Sequence, residues 1–271
     1  MQEIFVRQNK NSCYLHIEKW HRLDSRLRVG FTMRLGGVSE PPYDTFNLGF
    51  NVTDDDEHVV ANRKRLAEKL SIPLQHWVGG EQVHGNHVCI IHQGDRNRGA
   101  HNYRTSIEGV DGLITNELGI LCTAFFADCV PLFFYDPTTG YIGIAHAGWK
   151  GTVRRIAEKM VQTFSSQGVD PAHLLVTIGP SISQEKYEVD DNVMQHIDEN
   201  LQKKTGIQRG HHRYLLDLKQ LNVEILLQCG VIRHNIEVTN YCTYTDDNLF
   251  FSHRRDHGKT GRMLGFIGYT L

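Results

Sequence analysis

No stretch of the 271 residues is apolar for long enough to span a bilayer, and the opening "MQEIFVRQNKNSCYLHIEKW" lacks the basic segment and apolar run of a secretory signal. A cytoplasmic protein with no membrane partner is expected. An excess of one charge is also missing: 29 Lys and Arg stand against 31 Asp and Glu, a formal net charge of -2. Without a basic field there is nothing in the overall charge to hold nucleic acid, and that class of partner is disfavoured. The six cysteines, Cys13, Cys89, Cys122, Cys129, Cys229 and Cys242, contain no CxxC pair, and a chain of this size buries a core without disulfide staples. They read as reduced thiols. Linkers and low-complexity tracts are absent too, which points to one domain over residues 1–271.

Histidine is plentiful, 16 residues in all. Imidazole is the commonest metal ligand and titrates near neutrality, so the count favours metal or acid–base chemistry. His16, His21, His58, His173 and His196 stand in polar surroundings and read as surface residues. Along the chain, strand patterns occur in runs and also alternate with helical ones, the signature of an α/β fold with mixed β-sheets flanked by helices. A strand in "RVGFTMRLGGVSE" leads into the irregular loop "PPYDTFNLGFNVTDD", and "EHVVANRKRLAEKL" follows as a helix. Apolar runs at 121–126, 130–135 and 141–145 form the sheet core, the last two joined by the turn "DPTTG". The aromatics Phe125, Phe126, Phe133 and Phe134 belong to that core rather than to an oligomer interface. One helix is expected over 152–165, another in the acidic "DDNVMQHIDENL", then a mobile "QKKTGIQRGHHR", a helix in "LDLKQLNVEILLQCG" and two closing strands.

Three residues at the ends of these strands are candidate ligands: His84 in "QVHGNH", Cys129 in "FADCVP" and His146 in "AHAGWKG". Each is followed within two residues by Gly or Pro, so the chain bends where the side chain is presented, and Gly148 and Gly151 allow backbone to approach closely. Two imidazoles and a thiolate suit Zn²⁺, and three ligands leave a fourth position open for chemistry; copper accepts the same donors. The plain alternative is a buried small thiol and two hydrogen-bonded core histidines. Cations flank the same turns: Arg34 before Gly36 and Gly37, Lys150 after Trp149, and Arg254, Arg255, Lys259 and Arg262 in "SHRRDHGKTGRM". Such residues beside glycine-rich backbone suit a phosphate or carboxylate, or simply form a solvated basic loop.

Together with "RLGGVSEPPYDTFNLG", the blocks "GEQVHGNHV", "ADCVPLFFYDP", "GIAHAGWKGTV", "IGPSI" and "SHRRDHGKTGRM" resemble, in order, the bacterial laccase-domain family once called multicopper polyphenol oxidases. The resemblance runs from about residue 30 to the C-terminus. It implies a layered α/β/β/α domain with a metal held by His84, Cys129 and His146. It also implies purine nucleoside chemistry: phosphorolysis of adenosine, inosine and S-methyl-5'-thioadenosine, and zinc-assisted deamination of adenosine. On that reading the ligands are purine nucleosides and phosphate. Arg34, Lys150 and Arg255 are then candidates for phosphate, Asn47 and Asp111 for ribose or base, and Asp128 or Glu81 for moving a proton. Four-electron oxygen reduction is disfavoured, because the chain has no His-x-His pair and one three-ligand set holds one ion. The other readings are a copper-dependent polyphenol oxidase, a metal-free cysteine hydrolase with Cys129 as nucleophile and His146 as base, and a non-enzymatic binding protein.

Overall fold

The runs LCTAFF, VPLFFY and IGIAHA form the strands Leu121–Phe126, Val130–Tyr135 and Ile142–Ala147, buried at every residue. Strands apolar on both faces need cover on both, and stacked layers supply it. The computed structural model describes residues 3–271; the first two residues of the expected domain lie outside it. One sheet runs, in spatial order, Phe5–Val6, Tyr14–Ile17, Leu27–Thr32, Met263–Tyr269, Leu121–Phe126 and Trp77–Gly79. All its pairs are antiparallel except the last. The other runs Ile236–Val238, Leu175–Ile178, Val130–Tyr135, Ile142–Ala147, Gly112–Thr115 and Val88–Ile90, parallel at its two outer pairs and antiparallel within.

Alternation along each strand assigns the layers. Phe133 and Tyr135 join Phe31, Phe126 and Ile267 in the core between the sheets, while Leu132 and Phe134 point outward to Met160, Phe164 and Leu226 of the helices Ile156–Ser166 and Leu218–Gln228. On the opposite surface Leu121 and Phe125 pack with Leu66 and Leu70 of helix Asp56–Leu70. The order is α/β/β/α, as the resemblance implies. The four aromatics named above are all buried. Among the described residues no helix is long and apolar enough to cross a membrane.

Three expectations change, and one strand went unassigned. The helix over 152–165 is two helices, Trp149–Val153 and Ile156–Ser166, separated by Arg155 at a φ of 63°. At the break the Arg154 carbonyl accepts from the Asn86 side chain at 2.6 Å. The acidic segment is also two short helices, Asp191–Met194 and Glu199–Thr205. The segment read as mobile is ordered: Gly206–Gly210 pairs with Arg213–Leu216, which pairs with Glu188–Asp190 in a third, three-stranded sheet. Finally, Gly112–Thr115 is a strand that sequence reading did not resolve.

Candidate active site

Val130–Tyr135 and Ile142–Ala147 are hairpin partners in which Pro131 lies opposite His146 and Val130 opposite Ala147. Cys129, one residue before the first strand, therefore comes to rest beside His146. His84 arrives from elsewhere. It sits not at a strand end but in the loop between Trp77–Gly79 and Val88–Ile90, with a φ of 58°. The His84 and His146 rings meet edge to face, centroids 4.7 Å apart. One ligand atom from each of the three residues lies within 4.8 Å of the others, close to the span that bonds of about 2.0–2.3 Å bridge. His146 is buried, Cys129 half-buried and His84 exposed, so the donor set opens on one side. Two nitrogens and a sulfur with an open side fit a zinc ion of the catalytic kind, and copper by donor type.

Asp111, 3% exposed, organises this set. Its Oδ1 accepts from His146 Nδ1 at 2.8 Å and from the His84 backbone N–H at 3.1 Å; its Oδ2 accepts from Val83 N at 3.2 Å and Gly85 N at 2.7 Å. With Nδ1 bonded to the carboxylate, Nε2 of His146 is the free ligand atom. Burial pushes the Asp111 carboxyl up, but His146 and the Gly85 and Val83 N–H groups outweigh it and hold it low. Burial likewise pushes the Cys129 thiol up, and the His146 charge and hydrogen bonds from His146 and His84 reverse this, favouring thiolate. His146 moves the other way: burial pushes it down, and Cys129 and Asp111 more than restore it.

The two glycines of "AHAGWKG" are close-approach positions. A Cβ on Gly148 would lie 2.9 Å from both Cys129 Sγ and His84 Cδ2, and one on Gly151 would lie 2.9 Å from the Gly85 carbonyl oxygen. They let helix Trp149–Val153 close over the ligand loop.

The trio lines a cleft of about 400 Å³ with Phe125, Trp149, Tyr187, Lys150, Arg254 and Arg262 around it. The Arg254 guanidinium stacks on the Tyr187 ring at 5.1 Å. Of the residues predicted to touch substrate, Lys150 and Asp128 line the cleft, whereas Arg34, Asn47, Glu81, Asp111 and Arg255 do not. Arg34 donates to the Asp44 and Asp247 carbonyls and lies over Phe251. Arg255 is spent on Asp256 and on the Thr243, Tyr244 and Phe250 carbonyls. Asn47 is fully buried, its Oδ1 accepting from the backbone N–H of Arg262 at 2.8 Å, so it places Arg262. Glu81 accepts from Gly109 N. Both oxygens of Asp128 are engaged, by the Thr243 hydroxyl and Arg254 N, each at 2.7 Å.

Asn51, Gln82, Tyr187 and His253 also line the cleft and escaped sequence reading. Gln82 and His253 were findable, as neighbours of His84 and Arg254. Tyr187 carries no local signal, because the three-stranded sheet delivers it. Burial pushes its hydroxyl up, so it stays protonated.

Residues 28–270 match the family described as multi-copper polyphenol oxidoreductase laccase. The purine nucleoside phosphorylase YlmD of Bacillus subtilis is 43% identical over 261 residues, covering 94% of each chain. Its namesake from Geobacillus stearothermophilus is 44% identical over 89% of each. The crystal structure of YlmD from Geobacillus stearothermophilus superposes with a TM-score of 0.93 at 40% identity, covering all of both chains. The Neisseria meningitidis protein NMB0706 shares the fold at a TM-score of 0.79 and 25% identity, covering 99% of this chain and 100% of that one. With a match across nearly its whole length, the chain belongs to the multi-copper polyphenol oxidoreductase laccase family.

Proposed function

We propose that the protein is a purine nucleoside phosphorylase acting on adenosine, inosine and S-methyl-5'-thioadenosine. The observation that carries this reading is the likeness, over 94% of the chain, to a relative of that name. The cleft supports it, since about 400 Å³ lies in the range of small-ligand sites. Phe125, Trp149 and Tyr187 give flat surfaces for a purine, and Lys150, Arg254 and Arg262 give cations for phosphate.

In phosphorolysis a phosphate oxygen forms a bond to C1' of the sugar while the bond to purine N9 breaks. Its electron pair leaves with the base, which takes up a proton. The protein has to hold phosphate against the anomeric carbon and stabilise charge on the departing base. Lys150 and Arg262, which line the cleft, hold the phosphate in place of Arg34 and Arg255, which do not. His84, Cys129 and His146 would hold a zinc ion, which would supply a Lewis acid at the cleft. Deamination of adenosine is assigned to the same trio, with Asp128 better placed as proton carrier than Glu81, which is off the cleft lining.

The test is to follow adenosine by chromatography with and without phosphate, before and after chelation. Adenine release that requires phosphate supports the phosphorylase, and inosine formation supports the deaminase. Absence of both, with phenol oxidation by the copper-loaded protein, would return the family's older description to first place. The bias of Cys129 toward thiolate beside His146 favours a second reading, a cysteine hydrolase. That reading requires full activity in the chelated protein.

A further inference from the structure

We propose that Asp111 is the positioning residue for both histidines of the trio, and that His84 depends on it more than His146 does. This rests on the metal reading and is independent of which substrate the cleft takes. His146 is held by its strand: its neighbour Ala145 lies opposite Gly112, it lies opposite Pro131, and its backbone N–H donates to the Asp111 carbonyl at 2.8 Å. His84 has no such frame. Its loop is pinned at one end where Glu81 bonds to Ile107 and Val110, and at the other where the His87 carbonyl accepts from Asp111 and Gly112. Between these pins, three successive backbone N–H groups, of Val83, His84 and Gly85, converge on the Asp111 carboxylate. The same oxygen that receives His84 N receives His146 Nδ1. One side chain therefore sets the position of an exposed ligand, the ring orientation of a buried one, and the separation between them.

A carboxylate is required for this role. It offers two acceptor oxygens to four donors, two on each. An amide offers one, and in either orientation its NH₂ faces two N–H groups. Asp111→Asn thus keeps the shape and loses half of the bonds. The strand still holds the His146 backbone, so the larger disturbance falls on the His84 loop.

The test measures zinc affinity by chelator competition in the full-length protein, its Asp111→Asn and His84→Ala variants, and the double variant. Asp111→Asn is expected to weaken binding about 10- to 100-fold, the usual effect of removing a partner of a metal ligand. Because most of the aspartate's bonds go to the His84 loop and one to the His146 ring, the double variant is expected to bind more weakly than His84→Ala alone by much less than the full loss of Asp111→Asn. A second readout needs no variant. In the zinc-loaded wild type, nitrogen-resolved NMR should place a slowly exchanging ring proton on Nδ1 of His146. Unchanged affinity in Asp111→Asn, additive losses in the double variant, a ring proton on Nε2, or a wild type that takes up no zinc would each overturn the proposal.

Discussion

Gly148 leaves the space in which Cys129 and His84 come close to the following helix. Its α-carbon stands where a methyl group would meet Cys129 Sγ and His84 Cδ2 at 2.9 Å, closer than carbon approaches sulfur or carbon without something moving. Overpacking of this kind costs about 1–3 kcal/mol. Gly148→Ala is therefore expected to weaken zinc binding roughly tenfold or more, by the same chelator competition, while circular dichroism stays that of the native fold. Unaltered affinity would show that the ligands sit farther from the glycine than described. At this scale the sequence was informative about donors and poor about their partners. His146 and Cys129 were legible because a bend follows each at the edge of an apolar run. The role of Asp111 was not, because it depends on three N–H groups 26–28 residues away in the chain, brought close by the fold. Arg34 and Arg255 were assigned to phosphate on charge alone, and charge does not reveal that backbone carbonyls have already taken their donors.

The element that delivers cations to the cleft is the loop between Phe251 and Met263, which carries His253, Arg254 and Arg262. Asp256 ties it down, accepting from Arg255 Nε at 2.8 Å, Arg255 Nη2 at 2.9 Å and the Thr260 hydroxyl at 2.9 Å. Burial alone would raise its carboxyl; the Arg255 and Thr260 bonds reverse that and hold it below the usual range. A folded-state value below the unfolded one, which is about 3.9 for aspartate, means stability that is present above that pH and lost as the pH falls through the folded value. Asp256→Asn is expected to destabilise by about 1–3 kcal/mol at pH 7, read from urea unfolding. The gap between variant and wild type should close on acidification below about pH 4. A gap independent of pH would mean that the carboxylate charge is not what anchors the loop. Elements with a strong local pattern were read correctly, among them the hairpin through "DPTTG" and the helix before Leu70. The strand Gly206–Gly210 lies in the segment "QKKTGIQRGHHR", read as mobile because it is mostly polar with two glycines; its order comes from pairing with a strand beyond the turn.

The two sheets hold the molecule together through a shared aromatic core, and the hairpin that presents Cys129 and His146 is part of it. Phe133 is fully buried between the sheets, 5.8 Å from the Phe5 ring. Phe133→Ala is expected to cost about 3–5 kcal/mol, lowering the denaturation midpoint and loosening the hairpin at the site. The layered order became legible only through resemblance, since periodicity shows that a strand is buried and not which sheet it joins. Leu121–Phe126 and Val130–Tyr135 are three residues apart in the chain and belong to different sheets. That crossing puts Ala127, Asp128 and Cys129 at the mouth of the sandwich, where the cleft forms. On the function proposed above, this cleft transfers a sugar from purine to phosphate. Phosphorus NMR of the protein with inosine and phosphate tests it directly. A sugar 1-phosphate resonance is expected to grow in step with hypoxanthine release as inorganic phosphate falls, and to grow much more slowly in Cys129→Ala. Hypoxanthine released with phosphate unconsumed, or inosine left intact, would contradict it.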